Sequence, residues 1–177
     1  MFKEKKKRSG IQVVDDLISY FDEYKFAKKY SRDLLTAFKL DATKKRYSNW
    51  SELLNYCKFS ANPVGRFVIN VSYSHTNKKI NQRKILHASD KLCTALQIIN
   101  HIQDCKEDFK NLDRVYIPED YLKKHKLNVD ILMKQSSSQN FKRLKIEIIC
   151  KIEDSLKKIK ESLKLIDIWK LKKETLI

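Results

Sequence analysis

The sequence predicts an all-α helical bundle, and two features of its composition support that prediction. The 177 residues contain two glycines and two prolines, whereas a many-stranded β fold needs turn residues about every 8–12 positions. Leucine, isoleucine and lysine are abundant instead, and leucine and lysine are good helix formers. The length suits one domain with a sizeable core.

Helical periodicity places the elements along the chain. Residues 1–10 form a basic tail, and residues 11–177 are predicted to be a single domain. Apolar spacing predicts a first amphipathic helix over 14–21 and a short second one over 34–41. Asn49 and Glu52 have capping-box spacing and should open a third helix. Further helices are predicted over 85–108, from Pro118 at N1, and from 141 to the chain end, with polar connections at 75–81 and 136–140.

The net charge indicates which classes of partner the protein could bind. The net charge is +16, from 38 basic and 22 acidic residues, which favours anionic partners such as nucleic acid, anionic lipid or phosphorylated ligands. Lysine far outnumbers arginine, however, and a compositional bias that spreads charge over solvated faces gives the same total. Scattered lysines and the lack of a nucleic-acid motif argue against nucleic acid. Peripheral membrane contact stays open.

Four cysteines lie in predicted helices without C-x-x-C spacing, which favours buried free thiols over a zinc site. The basic N-terminus is not followed by an apolar segment, and no run of about 18 apolar residues occurs. These features predict a cytoplasmic protein, with contact to the inner membrane as an open alternative.

Pro63 and Gly65 predict a kink in a buried helix. Pro63 removes a backbone N–H and clashes with the preceding turn, and Gly65 allows another group to approach closely. Such a kink serves either as a packing device or as a way to open a cavity, and the sequence favours neither.

Asp104 and Asp108 are four residues apart, so a continuous helix would place them on one face. Leu92, Leu96 and Asn100 precede them in the same stripe, and an apolar stripe normally faces the interior. The two acids should therefore point into a groove, where a cation offsets their repulsion. Mg²⁺ and a lysine or arginine are both candidates. A solvated acidic turn is the simpler alternative.

Several motifs in order make this chain resemble the squalene/phytoene synthase family. The segment Tyr56–Arg66 is similar to the family's Y-C-x-x-x-A-x-x-V-G signature. The segment 92–108, followed by Arg114-Val-Tyr116-Ile-Pro118, resembles its second aspartate-rich signature. The segment 34–47 resembles the residues that precede the first of these signatures. The resemblance covers about residues 30–130 and is greatest for the bacterial hydroxysqualene synthase branch of hopanoid biosynthesis.

The resemblance implies an isoprenoid (terpenoid) synthase-like fold and a prenyltransferase that handles farnesyl or presqualene diphosphate with Mg²⁺. It implies that Asp104 and Asp108 ligate the metal and that Tyr56, Arg114 and Tyr116 are catalytic. The same resemblance implies substrate contacts for seven further residues: Ala61, Val64, Gly65, Arg66, Gln97, Asn100 and Gln103.

The chain also departs from the family pattern. The family's first aspartate-rich motif lies well upstream of 34–41, where this sequence offers about 30 residues. We therefore expect a partial bundle, shortened at both ends, that is inactive alone or completed by an N-terminal polypeptide or by a homo-oligomer. The alternatives are a basic helical module that binds nucleic acid or anionic membrane, and a non-functional gene remnant.

Overall fold

Helices form nearly all of the regular structure in the computed structural model, which describes residues 9–74, 76, 82–134 and 138–168. Within these ranges there is no β-strand, and one isolated bridge joins Arg46 to Val115. The all-α prediction is confirmed. The helices are α1 (Gln12–Glu23), α2 (Lys25–Thr43), α3 (Trp50–Ser60), α4 (Asn62–Ser74), α5 (Gln82–Gln103), α6 (Cys105–Leu112), α7 (Glu119–Lys124), α8 (Gln139–Lys157) and α9 (Lys160–Leu163), with a 3-10 turn at Val129–Met133.

The N-terminal helices follow the predicted order, but the second is longer than predicted. Helix α2 begins at Lys25, because Ala27 and Tyr30 extend its buried stripe upstream of the predicted segment. The Asn49 N-cap of α3 is confirmed, whereas the return bond from Glu52 reaches the residue before the cap. The Asn49 side chain accepts from the Glu52 N–H at 3.0 Å, and the Glu52 carboxylate accepts from the Ser48 N–H at 2.6 Å.

The chain changes direction next to Pro63, as predicted, but the kink is a full break that separates α3 from α4. Ala61 lies between the two helices, and Pro63 falls in the first turn of α4, where a missing N–H costs no hydrogen bond. Gly65 then faces α5. An added Cβ would lie 2.4 Å from both the Ser89 Oγ and the Cys93 Sγ. The glycine thus serves close helix packing.

The prediction of one helix over 85–108 is wrong after Gln103. Asp104 has φ −91° and ψ 2°, which bends the chain between α5 and α6. The i to i+4 bonds nevertheless continue across the bend. Asp104 N donates to Asn100 O at 2.8 Å, and Asp108 N donates to Asp104 O at 2.9 Å. The two aspartates therefore stay one turn apart.

The C-terminal elements differ from the prediction at three points. Pro118 is the N-cap of α7 and not its first helical residue. Gln139 and Asn140 belong to α8, which Ser138 caps, and not to a linker. Helix α8 ends at Lys157 instead of running to the chain end. The chain turns there so that residues 159–166 can pack on α4 and α5.

Two apolar clusters form the core, and α5 contributes to both. The larger cluster includes Leu53, Ile98, Leu144 and Ile148. The smaller one joins Ile69 and Ile85 to three residues that follow α8: Ile159, Leu163 and Ile166. Helix α5 packs against α3, α4, α6, α8 and α9. Most of the predicted tail 1–10 and of the loop 75–81 lies outside the described residues.

All four cysteines are free and lie in helices, but not all are buried. Cys57 and Cys105 are buried, as predicted, while Cys93 is half-buried and Cys150 is exposed. Burial raises the pKa of the Cys57 thiol to about 12, so this thiol stays protonated at neutral pH.

The Gly65 contact gives a test of the packing between α4 and α5. Gly65→Ala should destabilise the fold by about 1–3 kcal/mol, because the new methyl group overlaps Ser89 and Cys93. In a Ser89→Ala/Cys93→Ala background the same substitution should cost much less, because the overlapping atoms are gone. Urea unfolding of the four proteins measures both values. Equal costs in the two backgrounds would contradict this account.

Candidate active site

The Asp41 carboxylate, at the end of α2, is the centre of a buried polar cluster. The Tyr56 hydroxyl donates to its two oxygens at 2.9 and 3.1 Å, and the Tyr116 hydroxyl donates at 3.3 Å. The Arg114 guanidinium lies 3.8 Å away. Three residues predicted as catalytic are thus brought together, around an acid to which sequence reasoning assigned no role.

Backbone pairing between two loops positions this cluster. Residues 44–48, after α2, run beside residues 114–120, where the Val115 N–H donates to Lys45 O and the Glu119 N–H donates to Tyr47 O, both at 2.9 Å. Arg114 Nη2 donates to the Asp41 carbonyl at 2.5 Å, and Nη1 donates to the Tyr116 hydroxyl at 3.2 Å. Arg114 therefore fastens the second loop to the end of α2.

Aromatic rings enclose the cluster and keep its hydroxyls neutral. Tyr47 packs on Tyr56 and Tyr116, each with 5.4 Å between ring centroids. Burial raises the pKa of Tyr56, and its hydrogen bond with Tyr116 raises it further. Both phenols therefore act as neutral hydrogen-bond donors.

His101 extends the cluster onto α5. Its ring stacks on Tyr116 with 3.5 Å between centroids and 11° between planes, and Nε2 lies 3.2 Å from Gln97 Nε2. Burial lowers the pKa of His101 to about 3, and the positive charge of Arg114 lowers it further in the same direction. His101 is neutral at physiological pH, so Gln97 can donate to it.

Asp104 and Asp108 lie at the same end of the bundle. Asp104 is exposed and Asp108 is half-buried. Burial raises the pKa of Asp108, the negative charge of Asp104 raises it further, and Arg114 partly offsets both effects. A cation that binds beside the two carboxylates would lower the pKa of Asp108 again, because it favours the charged form. Two adjacent carboxylates suit Mg²⁺, which typically completes its shell with water and phosphate oxygens. No group of three or more ligand side chains occurs among the described residues.

The stripe that leads to these acids becomes exposed to solvent from Leu96 onward. Leu96 is 54% exposed, and Asn100 and Gln103 are exposed too. Phe38 on α2 and Val64 on α4 are 62% and 50% exposed. The expectation that the apolar stripe faces the protein interior therefore holds for Leu92, which is half-buried against the smaller core cluster, and is wrong for Leu96.

The segment after Tyr56 divides between structural and exposed positions. Ala61 is buried, Val64 is exposed, and Gly65 packs against α5. Arg66 forms a two-pronged ion pair with Asp90 on α5, at 2.7 and 2.5 Å. Its charge is therefore already neutralised within the protein.

Sequence reasoning missed Asp41 and His101 as members of the site. One signal pointed to Asp41, because the buried or half-buried residues Ala27, Tyr30, Leu34 and Ala37 form a stripe that ends at this acid. The same reasoning had singled out Asp104. No sequence spacing signals the stack of His101 on Tyr116, which depends on the path of residues 114–118.

The arrangement of helices is similar to about half of two solved structures with the all-α isoprenoid synthase fold. The solved squalene synthase HpnC from Alicyclobacillus acidocaldarius matches with a TM-score of 0.71 and 25% identity, over 84% of this chain and 54% of that chain. A dehydrosqualene synthase solved with a ligand shares the fold, with a TM-score of 0.71 and 21% identity over 84% of this chain and 49% of that one.

Sequence comparison agrees with the fold. The squalene/phytoene synthase family model matches residues 2–175, and the chain belongs to that family. Hydroxysqualene synthase from Sinorhizobium fredii is 47% identical over 110 residues, which are 62% of this chain and 35% of that protein. The enzyme of the same name from Zymomonas mobilis is 47% identical over 90 residues, 51% of this chain and 28% of that protein. The chain thus spans about a third of the length of these relatives.

The neutral His101 predicts a loss of stability in mild acid. The unfolded chain takes up this proton near pH 6.5, and the folded chain does so only near pH 3, so stability falls as pH drops through that window. Between pH 7 and pH 5 the loss due to His101 should be about 2 kcal/mol. Urea unfolding at both pH values measures it.

His101→Gln should remove this part of the pH dependence, whereas His87→Gln, at an exposed position on the same helix, should keep it. The same slope in the parent and in His101→Gln would show that the buried imidazole does not govern the effect.

Proposed function

We propose that the chain acts in isoprenoid biosynthesis of the squalene/hopanoid type, as a prenyltransferase domain that binds farnesyl or presqualene diphosphate. The diphosphate would lie where α2, α5 and α6 converge. The observation that carries this proposal is the placement of Asp104 and Asp108 one helical turn apart, at the same end of the bundle as the Asp41–Arg114 cluster. The family membership of the chain supports it.

Asp104 and Asp108 would hold Mg²⁺, and the ion would neutralise the negative charge of the leaving diphosphate. Asn100 and Gln103 are exposed near the same end of α5. Their amide groups can donate to phosphate oxygens or to metal-bound water. The two carboxylates would supply negative charge to the metal ion, and the two amides would orient the diphosphate or the metal-bound water.

Tyr56, Tyr116 and Arg114 would shape the floor of this site. Their polar atoms bond to Asp41 and to one another. That network holds the two phenol hydroxyls in fixed directions, which is the pre-organisation that electrostatic catalysis needs. Phe38, Val64 and Leu96 would form the wall against which an isoprenoid chain lies and which excludes water from a reacting cation.

The exposed wall also supports a proposal about partners. The side chains of Phe38, Val64 and Leu96 are each at least half exposed, and burying such apolar area is favourable by about 25 cal/mol per Å². We propose that further helices of the same fold cover this wall, supplied by a complementing polypeptide or by a second copy of the chain. Among the described residues, no helix has the length and apolarity needed to cross a bilayer. The proposed location is the cytoplasm, with contact at the inner membrane surface.

Calorimetric titration with farnesyl diphosphate tests the site. Binding should require Mg²⁺, because the carboxylates repel the diphosphate without it. Asp104→Asn and Asp108→Asn should each weaken Mg²⁺-dependent binding by about tenfold or more, the loss of one charge-assisted contact. Asp130→Asn is the matched control, since Asp130 is an exposed acid on the Val129–Met133 turn.

Binding that is independent of Mg²⁺, or that all three substitutions weaken equally, would contradict the proposed metal site. A parallel assay with farnesyl or presqualene diphosphate, Mg²⁺ and product extraction tests turnover by the chain itself. Binding without turnover would support the need for a covering polypeptide.

A further inference from the structure

A cavity lies between α3, α5 and α8. Its volume is about 200 Å³. Apolar side chains form one part of its lining, and two lysines and two hydroxyls form the rest. The lining residues are Trp50, Leu54, Ala95, Ile98 and Ile152, with Lys91, Lys151, Thr94 and Ser155. We call it the Trp50 cavity.

The Trp50 cavity is separate from the aspartate site. Both use α5, but different faces of it. With about 100° between successive residues, the cavity residues Lys91, Ala95 and Ile98 point about 130° away from the stripe formed by Leu92, Leu96 and Asn100. A ligand in this cavity would therefore lie behind α5 and would not contact Asp104 or Asp108.

Two lysines line the Trp50 cavity without a carboxylate partner among the described residues. Lys151 Nζ donates to the Tyr121 hydroxyl at 2.7 Å and lies 4.6 Å from the centre of the Trp50 ring. These contacts fix the lysine head but do not neutralise it. Lys91 forms no ion pair within the described ranges. Two cations on one small cavity repel each other, and an anion would relieve that repulsion.

The cavity also continues along α5 and α8. An adjoining cavity of about 360 Å³ shares Lys91, Lys151 and Ser155, and it adds Lys158 and His87. One acid, Asp154, lines it too, and that carboxylate pairs with Lys157 at 3.4 Å. Together the cavities offer cations and a hydroxyl donor beside an aromatic and aliphatic pocket. Lysine binds phosphate as a point charge, and Ser155 can donate to a phosphate oxygen.

We propose that the Trp50 cavity binds a phosphate group that carries an apolar tail. The phosphate lies between Lys91 and Lys151, and the first carbons of the tail contact Trp50, Leu54 and Ile98. Two sources share this chemistry: a dispersed alkyl phosphate and the headgroup region of an anionic phospholipid bilayer.

Trp50 is a built-in reporter for this site. The chain has two tryptophans, so Trp169→Phe in the full chain leaves Trp50 as the one indole. Its emission is followed during titration with octyl phosphate, inorganic phosphate or octanol. In separate arms, vesicles of phosphatidylglycerol and of phosphatidylcholine replace the soluble probes.

Octyl phosphate should change the Trp50 emission saturably, and it should bind at least about tenfold more tightly than inorganic phosphate or octanol, because each of those lacks one half of the ligand. Lys91→Met and Lys151→Met should each weaken binding about tenfold while keeping the side-chain stem. Lys145→Met is the matched control, since Lys145 lies on α8 over the Phe141 ring, at 4.9 Å, outside the cavity. It should change binding less than twofold.

The vesicle arms assign the source. If the Trp50 emission responds to phosphatidylglycerol vesicles and to none of the other probes, and if Lys91→Met and Lys151→Met abolish that response, the result supports the proposal and places the phosphate in a bilayer. Two results would overturn it. One is the absence of a saturable change with both octyl phosphate and phosphatidylglycerol. The other is equal weakening by Lys145→Met, which would show a general charge effect. Urea unfolding of each variant checks that it is folded.

Discussion

The Asp41 carboxylate is the interaction on which the candidate site depends. It accepts hydrogen bonds from Tyr56 and Tyr116, and Arg114 holds both Tyr116 and the Asp41 carbonyl. These residues come from three parts of the chain, so one acid joins α2, α3 and the loop before α7. A partly buried arginine without this partner would leave an uncompensated charge, which is strongly destabilising. The network thereby fixes the loop whose path brings Tyr116 onto His101.

Helix α5 connects the Asp41 cluster to the rest of the molecule. Near its C-terminal end His101 stacks on Tyr116. The i to i+4 bonds that continue across the bend at Asp104 keep the two carboxylates one turn apart. Further back, Gly65 brings α4 against it. The face of α5 toward the aspartates is open, while the opposite face forms part of the core and of the Trp50 cavity. One helix thus supports an acidic site and a basic one with little overlap.

Local sequence signals predicted those features that local chemistry determines. The Asn49 cap, the change of chain direction next to Pro63 and the one-turn spacing of the aspartates depend on neighbouring residues, and the structure contains all three. The features that were missed depend on distant contacts. The end of α8 at Lys157 follows from packing on α4 and α5, and the role of Asp41 follows from partners 15 to 75 residues away. Periodicity can single out Asp41 as the end of a buried stripe, but it does not tell which distant residues pair with it.

A double-mutant cycle between Asp41→Asn and Tyr56→Phe tests whether the Asp41 carboxylate anchors the polar cluster. If the carboxylate anchors the cluster, the two changes should be coupled by about 1 kcal/mol in urea unfolding, as expected for groups in one network. Asp33→Asn is the control for Asp41, since Asp33 pairs with Lys29. Asp33 lies about 12 Å from Asp41 along the axis of α2. Its cycle with Tyr56→Phe should be additive. Additivity in the Asp41 cycle, within about 0.3 kcal/mol, would contradict the role given to Asp41.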